Sequence, residues 1–226
     1  MSEKKRKVRG FGKISLLDII HNREDLYDGN LVDYFQTAFF RFTNLNNPYH
    51  NFRHMMHVFW LVYLACRYYK EELTKREIRN LLIAAIFHDA DHSGKAGDDS
   101  KQIERALKAL DNNLHPVDRP CHKEIERLIV STQYPHCIDF RDVTLSHHIL
   151  RDADMAQGLD DVWLQQIIFG LGKEMEWRPL SMLRNQLEFI PTSIFRTSWA
   201  EKKFGGLRKK RLEEVRGYLA CLEGHP

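Results

Sequence analysis

Apolar residues recur three and four positions apart along most of this 226-residue chain, the period of an amphipathic α-helix. Over residues 31–45 the stripe is Leu31, Tyr34, Phe35, Ala38, Phe39 and Phe42. Asn44 to Pro48 end it, because Asn and Pro favour turns. A second helix is predicted over 50–69 and a third over 75–88. In the third, Leu81 to Phe87 are apolar nearly all round, so that helix is buried on most sides. Gly94 and Gly97 mark the loop that follows. Further helices are predicted over 100–111, 120–132, 142–157, 160–172, 181–200 and 208–222, the last starting after Gly205-Gly206. Convincing period-two alternation of the strand type is absent. The expected fold is all-α, a compact single-domain helical bundle over 13–226, preceded by a basic, disordered tail over 1–12.

Composition changes this picture little. A hydrophobic content of 43% with 29% charged residues is ordinary for a soluble globular domain. The net charge of +3 is too mild to make nucleic acid the main partner. No apolar run approaches the roughly 20 residues that span a bilayer, and the first residues lack the apolar segment of a signal peptide. The four cysteines form no C-x-x-C pair and read as reduced thiols, which points to the cytoplasm. Lys4 to Val8 looks like a nuclear-localisation patch, but such patches occur often by chance and it is read as a solvated tail.

The chemistry lies in histidines and aspartates spread over about a hundred residues: His50 and His54, then His88, Asp89, Asp91 and His92, then Asp152 and Asp154. His50 and His54 are four apart, so on one helix they share a face. A charged Asp89 directly after Ile86-Phe87 is costly to bury unless paired or metal-bound. Mixed imidazole and carboxylate donors suit one or two divalent cations. Zn²⁺, Mg²⁺, Mn²⁺, Fe²⁺ and Co²⁺ are all compatible. His50 is placed to protonate a departing oxygen. The other histidines of the chain are individually uninformative.

The segments Tyr49-His50-Asn51-Phe52-Arg53-His54 and His88-Asp89-Ala90-Asp91-His92-Ser93-Gly94 resemble the signatures of class I cyclic-nucleotide phosphodiesterases, within the HD superfamily of metal-dependent phosphohydrolases. Ile129 to His136 resembles a helix-end segment of that class. Asn185 to Ile190 is similar to the segment carrying its base-reading glutamine and base-stacking phenylalanine. Asn47 to Asn51, Arg151 to Asp154 and Ile194 to Thr197 suit the small bacterial HD phosphohydrolases equally well, as does the compact size. The resemblance covers roughly residues 47–200.

It implies His54, His88, Asp89 and Asp154 as metal ligands, with Asp89 bridging to a second metal and Asp152 as the fallback for Asp154. It implies His50 as general acid and His92 as a residue that orients water near the metals. It implies Gln186 and Phe189 as a base clamp, set against a bland alternative in which Leu183, Leu187, Ile190 and Ile194 form a core stripe. Pro191 and Gln157 depart from the phosphodiesterase pattern. Glu104 and Arg105 read as a solvated face, and Arg208 to Arg211 as the start of a solvated helix. The expected activity is hydrolysis of a nucleotide phosphodiester, foremost a 3',5'-cyclic nucleotide. A 5'-nucleotidase or pyrophosphohydrolase is the alternative, and a non-hydrolysing nucleotide sensor the third reading. The partner is a small-molecule nucleotide, with no membrane and with homo-oligomerisation left open.

Overall fold

The computed structural model describes residues 14–135 and 143–224. The 1–12 tail and His136 lie outside them. Among the described residues there is no strand, and the architecture is all-α. The helices are α1 (Leu16–Ile20), α2 (Val32–Arg41), α3 (Phe52–Tyr68), α4 (Lys75–Phe87), α5 (Asp99–Asn113), α6 (His122–Val130), α7 (Leu145–Met155), α8 (Gly172–Glu174), α9 (Pro179–Thr192) and α10 (Ser198–Glu223). Short 3₁₀ segments occupy Pro116–Cys121 and Ala156–Leu159, and a π-helical stretch covers Leu164–Leu171.

α4 is the central element. Every residue from Ile78 to Phe87 is buried, as its apolar circumference predicts. A capping box fixes its start: the Thr74 hydroxyl accepts from Glu77 N–H, and the Glu77 carboxylate accepts from Thr74 N–H. α4 packs on α3 and α6, α3 packs on α7, and α9 packs on α10. Below the centre, Asp118 is fully buried and takes Arg79 Nε at 2.8 Å, Arg79 Nη2 at 2.7 Å, Arg76 Nη1 at 2.8 Å and Tyr34 Oη at 2.7 Å. This knot ties α4 to α2 and to the segment before α6. No helix among the described residues is long and apolar enough to cross a membrane.

Two predicted helices, 181–200 and 208–222, differ. The span 181–200 is two helices, because Pro191 lacks an N–H and sits in the last turn of α9. Residues 193–197 are then non-helical, and the Thr197 hydroxyl caps α10 by accepting from Ala200 N–H. Ile194 consequently leaves the core stripe and is 61% exposed. Gly205-Gly206 do not start a helix but lie inside α10. Arg211 is not solvated. It is buried, donates to the carbonyls of Leu159 and Asp160, and stacks on Trp163. Glu104 and Arg105 are exposed, as a solvated face requires.

Candidate active site

His54 comes from the first turn of α3, where the Asn51 side chain caps the helix by accepting from His54 N–H at 3.0 Å. That cap places His50 before the helix, so His50 and His54 do not share one helical face as their spacing predicts. His88 is the C-cap of α4, and Asp89 follows it. Asp154 comes from the last turn of α7. The negative end of the α4 dipole thus points at the cluster and favours a cation there.

His54, His88 and Asp89 gather into one group that could hold a metal ion, with Asp154 at its edge. His54 Nε2 is 3.1 Å from Asp89 Oδ2 and 3.1 Å from Asp154 Oδ1. His88 Nε2 is 3.2 Å and 3.7 Å from the same two oxygens, and the two Nε2 atoms are 3.4 Å apart. The tautomers follow from the other ring nitrogens. His54 Nδ1 faces Gln157 Oε1, and His88 Nδ1 lies 2.9 Å from the Ala85 carbonyl oxygen. Both Nδ1 atoms therefore carry hydrogen, and both Nε2 atoms present lone pairs to carboxylate lone pairs. Asp89 Oδ2 is buried without a hydrogen-bond donor. Such a set is held together by positive charge between its members, either a proton on Nε2 or a metal ion. Burial opposes charge on His54, yet Asp154 and Asp89 outweigh burial and carry its pKa up to about 10. The field that draws a proton there also draws a divalent metal. Ligands at about 2.0–2.2 Å from a metal stand roughly 2.9–3.6 Å from their neighbours, which is close to the spacing observed. Asp89 and Asp154 keep 14% and 27% side-chain exposure, so the cluster opens on its carboxylate side.

Asp152 stands apart from the cluster. Its carboxylate accepts from Arg196 N–H, Thr197 N–H and the Thr197 hydroxyl, fixing the entry to α10. Gln157 is buried and orients His54, which gives this departure from the phosphodiesterase pattern a role.

Beside the cluster stands a second group, His50, His92 and Glu174. Glu174 Oε2 lies 2.5 Å from His50 Nδ1, and Glu174 Oε1 accepts from the N–H groups of Tyr49 at 2.8 Å and His50 at 3.0 Å. The 2.5 Å separation is a hydrogen bond, too short for two ligands on one metal. Burial pushes the Glu174 pKa up, but the His50 ring and the two backbone donors more than offset it and hold the carboxyl below its usual range. His50 Nε2 is left on the side away from Glu174. The His92 ring stacks on His50 with centroids 3.8 Å apart. Burial first, then the His50 charge, depress the His92 pKa to about 4, so His92 is a neutral neighbour. Gly94 N–H donates to His92 Nδ1, which places the His92 hydrogen on Nε2.

Sequence reasoning missed Glu174, which lies 124 positions from its partner on a three-residue helix. It is delivered by the π-helical stretch, where Gly170 passes the Pro48 carbonyl so closely that a Cβ would stand 2.8 Å from the oxygen. Asn44 was also missed as more than a turn former. Buried, it donates to the carbonyls of His50 and Asp89 at 2.8 Å each and accepts from Asp91 N–H at 3.1 Å. It thereby clamps both motifs together. Asp91 has a left-handed φ of 59°, held by Thr43, whose N–H and hydroxyl both donate to Asp91 Oδ1.

Gln186 and Phe189 are both on α9, and among the described residues their side-chain contacts are with groups outside the cluster. Gln186 is buried, its Oε1 lacks a donor, and its amide nitrogen lies 3.9 Å from Met182 Sδ. Phe189 is half-buried and meets Tyr134 edge-on, with centroids 6.3 Å apart. The profile of the 3'5'-cyclic nucleotide phosphodiesterase family matches residues 49–124. No curated protein matches the chain. The match contains His50, His54, His88, Asp89 and His92 and ends before Asp154. Over that stretch the chain resembles cyclic-nucleotide phosphodiesterase catalytic domains, which supports a phosphodiesterase-type hydrolase activity.

Proposed function

We propose that this protein is a metal-dependent phosphodiesterase that hydrolyses a nucleotide phosphodiester, foremost a 3',5'-cyclic nucleotide to the 5'-monophosphate. The observation that supports the reading is the gathering of His54, His88 and Asp89, with Asp154 Oδ1 3.1 Å from His54 Nε2, beside a His50–Glu174 pair. A divalent ion held by those four would lower the pKa of water and polarise a phosphoryl oxygen. Asp89, partly exposed on the open side, is the carboxylate available to a second ion.

His50 has the proton-transfer role. Glu174 fixes its ring and stabilises positive charge on it, so Nε2–H can be given to the departing ribose oxygen. His92 closes the other face of that ring and, being neutral, adds no competing charge. Gln157 and the Ala85 carbonyl hold the two ligand rings in the tautomer that leaves Nε2 free.

The test is product chromatography after incubating Mn²⁺-loaded protein with cyclic AMP, cyclic GMP, cyclic dinucleotides and linear mono- and triphosphates, with an Asp89→Ala control. Nucleoside 5'-monophosphate formed from cyclic mononucleotides by the wild type alone is the expected result. Free phosphate or pyrophosphate released from linear nucleotides, with cyclic ones untouched, would overturn it in favour of a nucleotidase or pyrophosphohydrolase.

A further inference from the structure

The segment that carries Glu174 presses on the strip of chain that carries His50, and a glycine lets it do so. Gly170 is buried in the π-helical stretch Leu164–Leu171, and Glu174 stands four positions on, a spacing that puts both on one helical face. They meet the same strip. Gly170 faces the Pro48 carbonyl, and Glu174 takes the N–H groups of Tyr49 and His50 together with His50 Nδ1. A Cβ at Gly170 would stand 2.8 Å from the Pro48 oxygen and 3.5 Å from the Pro48 carbonyl carbon. It would have to retreat by about 0.6 Å to reach the 3.4 Å of ordinary contact. Gly172, two positions further, is different: a Cβ there would meet its nearest neighbours at 3.7 Å.

The anchoring of each side decides which one yields. The Pro48 ring locks its φ. The Asn51 amide donates to the Asn47 carbonyl at 2.8 Å while its oxygen caps α3 at His54 N–H. Asn44 donates to the carbonyls of His50 and Asp89 at 2.8 Å each. The strip is thus tied to α3 and to the Asp89 motif, and moving it would disturb both. Beyond Gly170, the opposing segment is held here by Glu174's own bonds and by Ala96 N–H, which donates to the Glu174 carbonyl at 2.9 Å from an exposed loop position. A wedge at Gly170 therefore shifts this segment, and Glu174 moves with it.

We propose that Gly170 is a positioning residue for proton transfer: its missing side chain lets the segment close on Pro48 to the depth at which Glu174 grips His50. The assignment rests on the phosphodiesterase reading above, in which His50 protonates the departing oxygen. Gly170 acts through Glu174 and touches no substrate. Adding about 0.6 Å to the 2.5 Å bond between Glu174 Oε2 and His50 Nδ1 leaves a hydrogen bond of roughly 3.1 Å, of ordinary length and weaker hold on the ring. Misplacement of about 1 Å in a catalytic constellation costs about a hundredfold in rate.

The first part of the test needs no turnover. Crystal structures of wild type, Gly170→Ala and Gly172→Ala are compared at the His50–Glu174 pair. The separation of His50 Nδ1 from Glu174 Oε2 is expected to lengthen in Gly170→Ala and to stay unchanged in Gly172→Ala. Glu174 left in place, with Pro48 or the core yielding instead, overturns the proposal. So does a Gly170→Ala protein that fails to fold, because alanine inside a helix is ordinarily favourable and the displacement then falls on the core. The second part measures kcat of metal-loaded enzyme on a ribose phosphodiester and on bis(4-nitrophenyl) phosphate, whose leaving group departs without a proton. Gly170→Ala is expected to lose about tenfold or more on the first, little on the second, and nothing further in a Glu174→Gln background, while Gly172→Ala keeps both rates. Equal losses on both substrates, or a loss that adds to that of Glu174→Gln, mark a merely structural role and overturn the proposal. A displaced Glu174 in a protein whose wild type cleaves no phosphodiester upholds the positioning by Gly170 and refutes the phosphodiesterase reading instead.

Discussion

Replacing Glu174 by Gln changes one charge while keeping shape, and the structure says where each atom of the amide must go. Glu174 Oε1 accepts from two backbone N–H groups, so the amide oxygen has to stay there and the NH₂ has to face His50 Nδ1. An NH₂ in that place makes Nδ1 an acceptor and removes the anion that stabilises the charged ring. Without that anion the ring no longer works as a positioned general acid, whose contribution is about a hundred- to ten-thousandfold in rate. The two backbone bonds survive, so Glu174→Gln should bind metal and unfold much like the wild type. Glu174→Ala, by contrast, strands both N–H groups and costs about 1–3 kcal/mol of stability.

The decisive assay varies the leaving group. A ribose or alkyl oxygen needs a proton to depart, whereas 4-nitrophenolate leaves without one. Glu174→Gln and His50→Gln should each lose about a thousandfold in kcat on a ribose or alkyl phosphodiester, little on bis(4-nitrophenyl) phosphate, and no more when combined. Equal losses on both substrates, or additive losses in the double variant, would refute the acid–orienter pairing of His50 with Glu174.

Three further outcomes are expected. Asp154→Asn should lose bound metal by elemental analysis, whereas Asp152→Asn should keep it and lose about 1–3 kcal/mol of stability from broken bonds at the α10 entry; metal loss in both would show that the two carboxylates are not separable. Gln157→Leu should weaken metal affinity about 10–100-fold in a competitive chelator titration, because the His54 ring loses its orienting acceptor. Asp118→Asn should cost about 3–5 kcal/mol, or roughly 6–20 °C in Tm for a chain this size. Burial raises the Asp118 pKa, but Arg79, Tyr34 and Arg76 hold it below the usual carboxylate range. Its stabilisation is therefore present above about pH 3.9 and lost as pH falls through the lower folded pKa. The gap between wild type and Asp118→Asn in urea midpoints should close on acidification, and a gap that widens would refute the sign.

The legible parts of the fold are those whose signal is periodic. α4 announces itself because its apolar residues run unbroken from Leu81 to Phe87 and Thr74 and Glu77 form a capping box. The 181–200 span misled because apolar period alone does not register where Pro191 ends a helix and Thr197 starts the next. His50 and His54 misled in a smaller way. Their four-residue spacing fits one helix face, but the intervening Asn51 prefers to cap, and a cap residue ends the helix on its own N-terminal side. Arg211 looked solvated within a basic run because nothing local marks the Leu159 and Asp160 carbonyls that it reaches.

The candidate site shows why some of its residues could be read and others could not. A metal ligand has to be one of a few residue types, so His88-Asp89 after a buried helix stands out against its surroundings. The groups that set the ligands' tautomers have no such constraint. For His88 the acceptor is the backbone carbonyl of Ala85, which any residue at that position would supply. For His54 it is the Gln157 amide, in a short 3₁₀ turn 103 positions away. Glu174 has both problems. A single glutamate carries no motif, and its place is fixed by a π-helical stretch and the close approach at Gly170, which are properties of the backbone path rather than of residue type. Side chains that meet metal leave a mark on the sequence because chemistry restricts them, and side chains that meet those side chains are restricted only by geometry.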